Sequence, residues 1–380
     1  MKRKKIFLYI YSLHTGGGAE NVLYKLAVFL RQQGWLVYAC GMLDEEPSFE
    51  TLMTARGIKV IRLRGDHNPL KTIPRLVRVL KKVKPDILLN WLYPCIITGG
   101  LAGRLAGVPR IIANLRGPDL KKRKTRVFLD GITARCCYDG HIAVSQNVKD
   151  IFVRREKYPA AKVTVINNGL DSAAEKYLKQ IDRAAARRAL QLTAQNIVIG
   201  ALGRLYPEKN QKFLLETLAL LLPRLPQARL LLVGDGPSRP ELEQLAARLN
   251  ISDKIIFAGW QSDVYRYLKV MDIYVLPSLY EGHSGSILQA WACRLPVAGA
   301  KTTGIRDLVV DGKNGLLFSL QNPSELANII FNLTAYPRLA QELGKNGWQT
   351  ATTKYTEKKM FTEYFNYLKN FPGRNPPPPR

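Results

Sequence analysis

The chain is organised around residues 277–299, PSLYEGHSGSILQAWACRLPVAG. An apolar, strand-like run precedes the stretch, and an apolar helical segment begins at Ser286 and ends at Pro296. A glycine-rich turn, 282–285, joins the two. Free N–H groups at the N-terminus of such a helix face any bound anion. The turn could therefore hold a phosphate, or a sugar hydroxyl that donates to Glu281, or could merely connect a strand to a helix.

The same alternation of short apolar strands and periodic helices runs through the whole chain. Strands are predicted at 5–11, 35–42, 58–63, 86–91, 110–115, 141–144 and 163–166, and again at 197–202, 230–233, 255–258, 272–276, 296–298 and 316–318. This pattern predicts α/β architecture with doubly wound parallel sheets covered on both faces. The length of 380 residues favours two domains over one.

We expect a first Rossmann-like domain at 1–168 and a second at 169–350. A helix at 351–370 and a tail without core residues at 371–380 complete the chain. Doubly wound domains bind ligands at the C-terminal ends of their strands, so two domains that face each other would share one cleft. Candidate loops follow strands at 12–18, 116–124, 203–210, 234–237, 277–286 and 300–307.

The net charge of +27 is the most unusual total. Residues 1–168 carry +18 of it and the rest +9. Such a surface attracts phosphates on nucleic acid, anionic lipid or a charged acceptor. No apolar run approaches the length of a membrane span, and the five scattered cysteines predict reduced cytosolic thiols. The chain contains no D-x-D and its four histidines are dispersed, so no metal site is expected.

Five groups of residues, in order and spacing, resemble the family 4 retaining glycosyltransferases, whose fold is GT-B. They are Gly16-Gly17-Gly18-Ala19-Glu20, Gly203-Arg204-Leu205 with Glu208-Lys209-Asn210, Gly234-Asp235-Gly236-Pro237, Glu281-Gly282 with Gln289-Ala290, and Gly304-Ile305 with Asp307, Asp311-Gly312 and Asn314-Gly315. The resemblance implies two Rossmann-like domains facing across a cleft. It also implies that the second domain binds a nucleotide-sugar and the first binds the acceptor.

The resemblance further implies individual roles. Arg204 and Lys209 match positions that bind the diphosphate, and Glu281 matches a residue that approaches the donor sugar. Gln289 stands where a glutamate usually holds the ribose, and Arg116 where many relatives carry a histidine near the transferred sugar. The expected catalytic set is therefore Glu281, Arg204, Lys209 and Arg116. The expected donor-binding set is Gly17, Gly18, Gly203, Gly234, Gly282, His283, Ser284, Gly285, Ser286, Gln289 and Gly304.

A dense basic cluster is the expected contact with a charged acceptor or an anionic membrane. It consists of Lys121, Lys122, Arg123 and Lys124. An amphipathic basic helix at 73–84 could also lie on a membrane, although such a pattern usually means one packed and one solvated face.

The expected function is metal-independent, retaining transfer of a hexose from a nucleotide-sugar. A UDP-sugar is the expected donor, because it is the commonest donor type among similar proteins. The acceptor would be a lipid-linked glycan, lipopolysaccharide or exopolysaccharide at the inner face of the cytoplasmic membrane, and no cofactor is expected. The alternatives are a sugar-nucleotide epimerase, a phosphorylase, and a relative with weak or no activity, which Gln289 motivates. A nucleic-acid-binding protein, suggested by charge alone, lacks interleaved aromatic residues and any known module.

Overall fold

A computed structural model of the chain describes residues 3–46, 48–64, 68–117, 124–172 and 174–372. The chain forms two compact units. The first comprises Met1–Asn167 together with the chain from Phe361 onward, and the second comprises Asn168–Met360.

Within its described residues, the first unit is built on a sheet of seven parallel strands in the order β3-β2-β1-β4-β5-β6-β7. The strands are β1 (Lys5–Ile10), β2 (Leu36–Gly41), β3 (Lys59–Arg62), β4 (Ile87–Trp91), β5 (Ile111–Leu115), β6 (Gly140–Ala143) and β7 (Val163–Val165). The helices are α1 (Gly18–Gln32), α2 (Glu50–Thr54), α3 (Pro69–Val83), α4 (Cys95–Leu105), α5 (Lys124–Cys137) and α6 (Gln146–Arg154), with a short 3₁₀ segment at Ala160–Lys162.

The second unit has a six-stranded parallel sheet in the order β10-β9-β8-β11-β12-β13, again within its described residues. The strands are β8 (Ile197–Leu202), β9 (Ala228–Val233), β10 (Ile255–Gly259), β11 (Ile273–Leu276), β12 (Val297–Ala300) and β13 (Leu316–Phe318). The helices are α7 (Ala174–Leu178), α8 (Arg183–Ala189), α9 (Gln211–Leu221), α10 (Arg239–Arg248), α11 (Val264–Val270), α12 (Gly285–Ala292), α13 (Pro323–Ala335) and α14 (Pro337–Lys354), with 3₁₀ segments at Pro207–Lys209 and Ser252–Lys254.

The last helix, α15 (Glu357–Asn370), begins in the second unit and continues into the first. In the first unit Phe361 stacks on Phe29 of α1, with ring centroids 5.4 Å apart. Tyr364 is fully buried and stacks on Trp91 at the end of β4. This helix therefore supplies part of the core of the first unit from the far end of the chain.

Strand order places the candidate loops. In each sheet the order of connection reverses between two neighbouring central strands, β1 and β4 in the first unit and β8 and β11 in the second. Crevices at such reversals, beyond the C-terminal strand ends, are the usual ligand sites of open α/β sheets. The central strands β4, β5, β6, β11 and β12 are buried on both faces, as the apolar runs predict, whereas the edge strand β3 is partly exposed. The predicted pair of doubly wound domains is confirmed.

Candidate active site

Three loops of the second unit are tied together at the C-terminal ends of β8, β11 and β12. The amide of Leu279 donates to the carbonyl of Glu208 at 2.9 Å, and that of Glu281 donates to the carbonyl of Thr303 at 3.0 Å. The Thr302 hydroxyl donates to the carbonyl of Ser278 at 2.9 Å. These bonds fix the loops relative to one another, so side chains from three separate sequence motifs are held in one place.

Lys209 and Glu281 form an ion pair at this place. Nζ of Lys209 lies 2.7 Å from Oε1 of Glu281, and the Ser278 hydroxyl donates to the same oxygen at 2.7 Å. Both charged side chains are largely buried, with 23% and 12% of their surface exposed. Charge-assisted bonds in such an environment are shorter and stronger than neutral ones. The two residues that the sequence assigned to different parts of the donor are therefore direct partners.

Arg204 presents a different environment from that of Lys209. Its side chain is 63% exposed and makes only a 3.9 Å contact with Glu208. The guanidinium lies over the Tyr206 ring, 4.6 Å from the centroid. Gln211 donates to the Arg204 backbone carbonyl at 3.0 Å, which fixes the main chain beneath the side chain. A guanidinium that is stacked but only weakly paired is free to form bidentate bonds with an incoming phosphate.

Two glycines of the predicted donor-binding set allow close approach of the backbone. Gly234 has φ +137° and a Cβ there would lie 2.0 Å from the carbonyl oxygen of Gly203. Gly304 has φ +80° and a Cβ there would lie 2.2 Å from the carbonyl oxygen of Glu281. Only glycine fits either position without moving the backbone. Gly282 precedes the helix in the same turn as Glu281.

The N-terminus of α12 is capped by Ser284. Its hydroxyl accepts a bond from the amide of Ile287 at 3.4 Å and lies 3.0 Å from the Ser286 hydroxyl. The next residue, Gly285, is exposed, and a Cβ added there would meet no atom within 4 Å. The structure thus gives α12 a side-chain cap at Ser284 with open space at its first residue.

His283 lies just before the serine cap of α12, and Gln289 lies within that helix. His283 is buried, its ring lies 5.1 Å from that of Tyr355, and its carbonyl accepts a bond from Asn168 at 2.9 Å. Gln289 is half-buried on α12 beside the Tyr265 hydroxyl. Burial raises the pKa of Tyr265, while the neighbouring Gln289 side chain works the other way.

Arg116 stands at the end of β5 in the first unit. Its guanidinium lies 5.3 Å from the centroid of the Trp91 ring. The residue keeps some exposure, but its Nη1 is enclosed and has no hydrogen-bond partner among the described residues. Burial lowers the pKa of Arg116, and the neighbouring Tyr364 hydroxyl and Glu20 carboxylate oppose that shift. Asn114 donates to the Tyr364 hydroxyl at 2.6 Å, so the surroundings of Arg116 are ordered.

The glycine loop after β1 leads into α1, whose Glu20 contributes to the charge environment of Arg116. Gly17 precedes α1, and a Cβ there would collide with the carboxylate of Glu20 at 1.8 Å. A Cβ added at Gly18 would meet no atom within 4 Å. The amide of Gly16 donates to Nδ1 of His14 at 3.0 Å. The glycine loop is thus followed by an acidic side chain, Glu20, in the first turn of α1, and that carboxylate packs against Gly17.

Most of the predicted basic cluster lies outside the described residues. Lys121, Lys122 and Arg123 lie outside the described residues, and Lys124 is the first residue of α5. Over the described ranges, no cluster of three or more histidine, cysteine or acidic side chains could hold a metal ion. In the same part of the chain no helix is both long and apolar enough to cross a membrane.

The sequence did not predict the partners of the site residues. Ser278 is three residues before Glu281, and its place beside the motif is the one signal that could have suggested it. Tyr364, which reaches Asn114 across 250 residues, gave no local signal. Tyr265 beside Gln289 belongs to a helix, α11, that the sequence left unassigned.

Comparison with known families gives two matches that together cover most of the chain. Residues 16–174 match Glycosyltransferase Family 4, and residues 196–335 match Glycosyl transferases group 1.

Curated relatives are similar at moderate identity. The UDP-Gal:alpha-D-GlcNAc-diphosphoundecaprenol alpha-1,3-galactosyltransferase of Escherichia coli is 28% identical over 275 residues, covering 70% of each chain. The lipopolysaccharide core biosynthesis glycosyltransferase LpsE of Rhizobium meliloti is 26% identical, covering 82% of this chain and 85% of the relative.

Solved structures show the same fold. Anabaena Alr3699/HepE, determined in complex with UDP and glucose, superposes with a TM-score of 0.85 at 24% identity over 97% of this chain and 100% of its own. WaaG, a glycosyltransferase involved in lipopolysaccharide biosynthesis, superposes with a TM-score of 0.77 at 16% identity over 96% of this chain and 100% of its own.

Proposed function

This chain belongs to the group 1 glycosyltransferases, and from that premise we propose that it transfers a hexose, with retention, from a UDP-sugar to a lipid-linked or polysaccharide acceptor. The transfer takes place at the inner face of the cytoplasmic membrane. No cofactor or metal ion takes part, and the nucleotide-sugar is a substrate.

The observation that carries the proposal is the Lys209–Glu281 pair together with the weakly paired Arg204 of the same loop after β8. As the glycosidic bond to the donor breaks, negative charge grows on the departing nucleotide diphosphate. Two cations fixed beyond the strand ends stabilise that charge more in the transition state than in the ground state, which accelerates the reaction. Glu281 holds Lys209 in place through one oxygen, and its other oxygen can accept a bond from a sugar hydroxyl.

Retention follows if the acceptor hydroxyl attacks from the side of the leaving group. The departing phosphate then takes the acceptor's proton, so no protein nucleophile is needed. Arg116, with an enclosed and unpartnered Nη1 among the described residues, supplies a hydrogen-bond donor at the end of β5 in the acceptor-binding unit.

The names of the relatives support this substrate class. The Escherichia coli relative takes UDP-Gal and an acceptor attached to diphosphoundecaprenol, and the Rhizobium meliloti relative acts in lipopolysaccharide core biosynthesis. Acceptors of this kind are anchored in a membrane. The charge of +18 in residues 1–168, to which Lys121, Lys122, Arg123 and Lys124 contribute, favours association with an anionic bilayer.

Calorimetric titration with UDP and with GDP, first without metal and then with Mg²⁺, tests the proposal. We expect metal-independent binding of UDP that Arg204→Ala weakens by roughly tenfold or more, because a charge-assisted phosphate contact is lost. Arg248→Ala, at an exposed position on α10 of the same unit, is the matched control and should bind like the parent.

Binding that requires Mg²⁺ would refute the metal-independent mechanism. Absence of binding by either nucleotide would favour a second candidate, a relative with weak or no transferase activity. That candidate rests on Gln289, which lacks the charge of the glutamate usual at its position and lies beside the Tyr265 hydroxyl.

A further inference from the structure

Helices α3, α4 and α5 lie side by side, since α4 packs against both of the others. The solvent-facing side of α4 is apolar. Ile97, Leu101 and Leu105 recur every four residues along it, and Leu105 is 64% exposed. A helix at a protein surface normally turns polar residues outward, so this stripe has the opposite character.

The outward side of α5 has the same character. Phe128 is 69% exposed, Leu129 is 60% exposed, and Ile132 follows one turn later at 41%. Single exposed apolar residues need no explanation, but several on adjoining helices mark an interaction surface. We refer to Ile97, Leu101, Leu105, Phe128, Leu129 and Ile132 as the apolar face.

Positive charge flanks the apolar face. The exposed side of α3 is a basic stripe formed by Lys71, Arg75, Arg78 and Lys82. On α5, Arg135 is exposed and Arg126 stacks 3.7 Å above the Tyr93 ring. Across all three helices the sequence has one acidic residue, Asp130, which is buried.

We propose that the apolar face inserts into an anionic lipid bilayer while the basic stripe of α3 binds the headgroups. Apolar side chains beside lysine and arginine are the combination that holds a surface helix at a bilayer boundary. A second copy of the chain fits less well, because it would bring one highly basic surface against another. The inference rests on the proposed function, which requires a membrane-anchored acceptor.

The apolar face is continuous with a pocket that contains Arg116. Ile97 belongs to both, and the pocket is also lined by Tyr93 and by the buried residues Asp130 and Tyr158. A bilayer at the apolar face would therefore lie beside the guanidinium whose Nη1 is unpartnered among the described residues. The lipid part of an acceptor would then remain in the membrane, with its polar part close to Arg116.

Sedimentation with lipid vesicles tests the surface. The variant Leu105→Glu/Phe128→Glu places two charges on the apolar face, and Leu220→Glu/Tyr336→Glu places two at exposed apolar positions of the second unit as a matched control. With vesicles of equal parts phosphatidylglycerol and phosphatidylethanolamine, we expect partitioning to fall by about tenfold or more in the first variant and to change by less than about twofold in the control. Part of the parent's binding should persist at about 1 M salt, where headgroup attraction is screened.

Equal partitioning of the two variants, or no partitioning of the parent, would overturn the proposal. So would a parent dimer that Leu105→Glu/Phe128→Glu dissociates in sedimentation velocity, because a second copy would then cover the face. Leu105→Ser/Phe128→Ser replaces the first variant if that protein does not fold. UDP titration of the same preparations reports on the donor site separately, so loss of UDP binding with intact partitioning would count against the proposed function alone.

Discussion

At the scale of single residues, the Lys209–Glu281 pair combines binding and positioning. The carboxylate accepts bonds from Lys209 and Ser278 at 2.7 Å each, so it is both neutralised and oriented. A phosphate that approaches Lys209 therefore meets an ammonium group that Glu281 already holds in position. Preorganisation of this kind is what makes a charged group effective in a transition state, since no reorganisation is required when charge develops.

Replacement of Lys209 by alanine should lower turnover by roughly 10²-fold or more, as loss of one transition-state donor does elsewhere. Lys212→Ala is the control, because Lys212 is an exposed lysine whose nearest acidic partner is 3.8 Å away. The measurement is turnover with saturating UDP-sugar. Equal turnover in the two variants would exclude Lys209 from the reaction.

The Gln289→Glu variant tests the proposed ribose contact. A carboxylate forms stronger hydrogen bonds to ribose hydroxyls than an amide does, and the nearby Tyr265 hydroxyl can donate to it. We therefore expect UDP affinity to stay level or to improve severalfold in calorimetric titration. A large loss of affinity would mean that Gln289 contacts something other than the nucleotide.

At the scale of elements, the junction of two loops depends on the backbone of Gly304. This residue has φ +80° and lies against the carbonyl of Glu281, whose amide bonds to Thr303. The loops after β11 and β12 therefore approach each other too closely for any side chain at this position. The ordering of Glu281 rests on that contact.

Gly304→Ala should lower the free energy of unfolding of the second unit by about 2 kcal/mol or more. The alanine would be strained in the left-handed backbone conformation, and its Cβ would also collide with the carbonyl oxygen of Glu281. Gly285→Ala is the matched control: its added methyl group meets nothing, and alanine favours a helix by about 1 kcal/mol relative to glycine. Chemical denaturation measures the free energy of unfolding of both variants. Similar stability of the two variants would contradict the close approach at Gly304.

Periodicity predicted the strands well and the helices less completely. Every strand from β1 to β13 lies on a segment that the sequence predicts as a strand. Helix α14 was not predicted, because its packing side contains Gly344 and Gly347 instead of an apolar stripe. A Cβ at Gly347 would lie 2.2 Å from Trp291, so glycine here permits close packing where it usually signals a break.

The candidate site could be predicted as far as its backbone positions. Strand order and glycine spacing located the loops of Arg204, Lys209 and Glu281, since parallel strands end at one edge. The pairing of Lys209 with Glu281 was not predictable, because it joins residues 72 positions apart through loop geometry. The same holds for Tyr364, which comes from the last helix to the surroundings of Arg116.

At the scale of the whole molecule, the stability of the chain should depend on pH through His141. This histidine is fully buried on β6, between the rings of Tyr138 and Tyr158. Burial lowers its pKa from the ordinary 6.5 to about 3. The folded chain therefore keeps the imidazole neutral at pH values where the unfolded chain protonates it.

The sign of the effect follows from that difference. Below pH 6.5 the unfolded state binds a proton that the folded state does not, so stability falls progressively until about pH 3. Between pH 7 and pH 5 the expected loss from this residue is about 2 kcal/mol. His141→Phe keeps a ring between the two tyrosines but cannot protonate. Thermal unfolding of the first unit should then lose much of its dependence on pH between 7 and 5, whereas an unchanged dependence would assign the acid sensitivity to other groups.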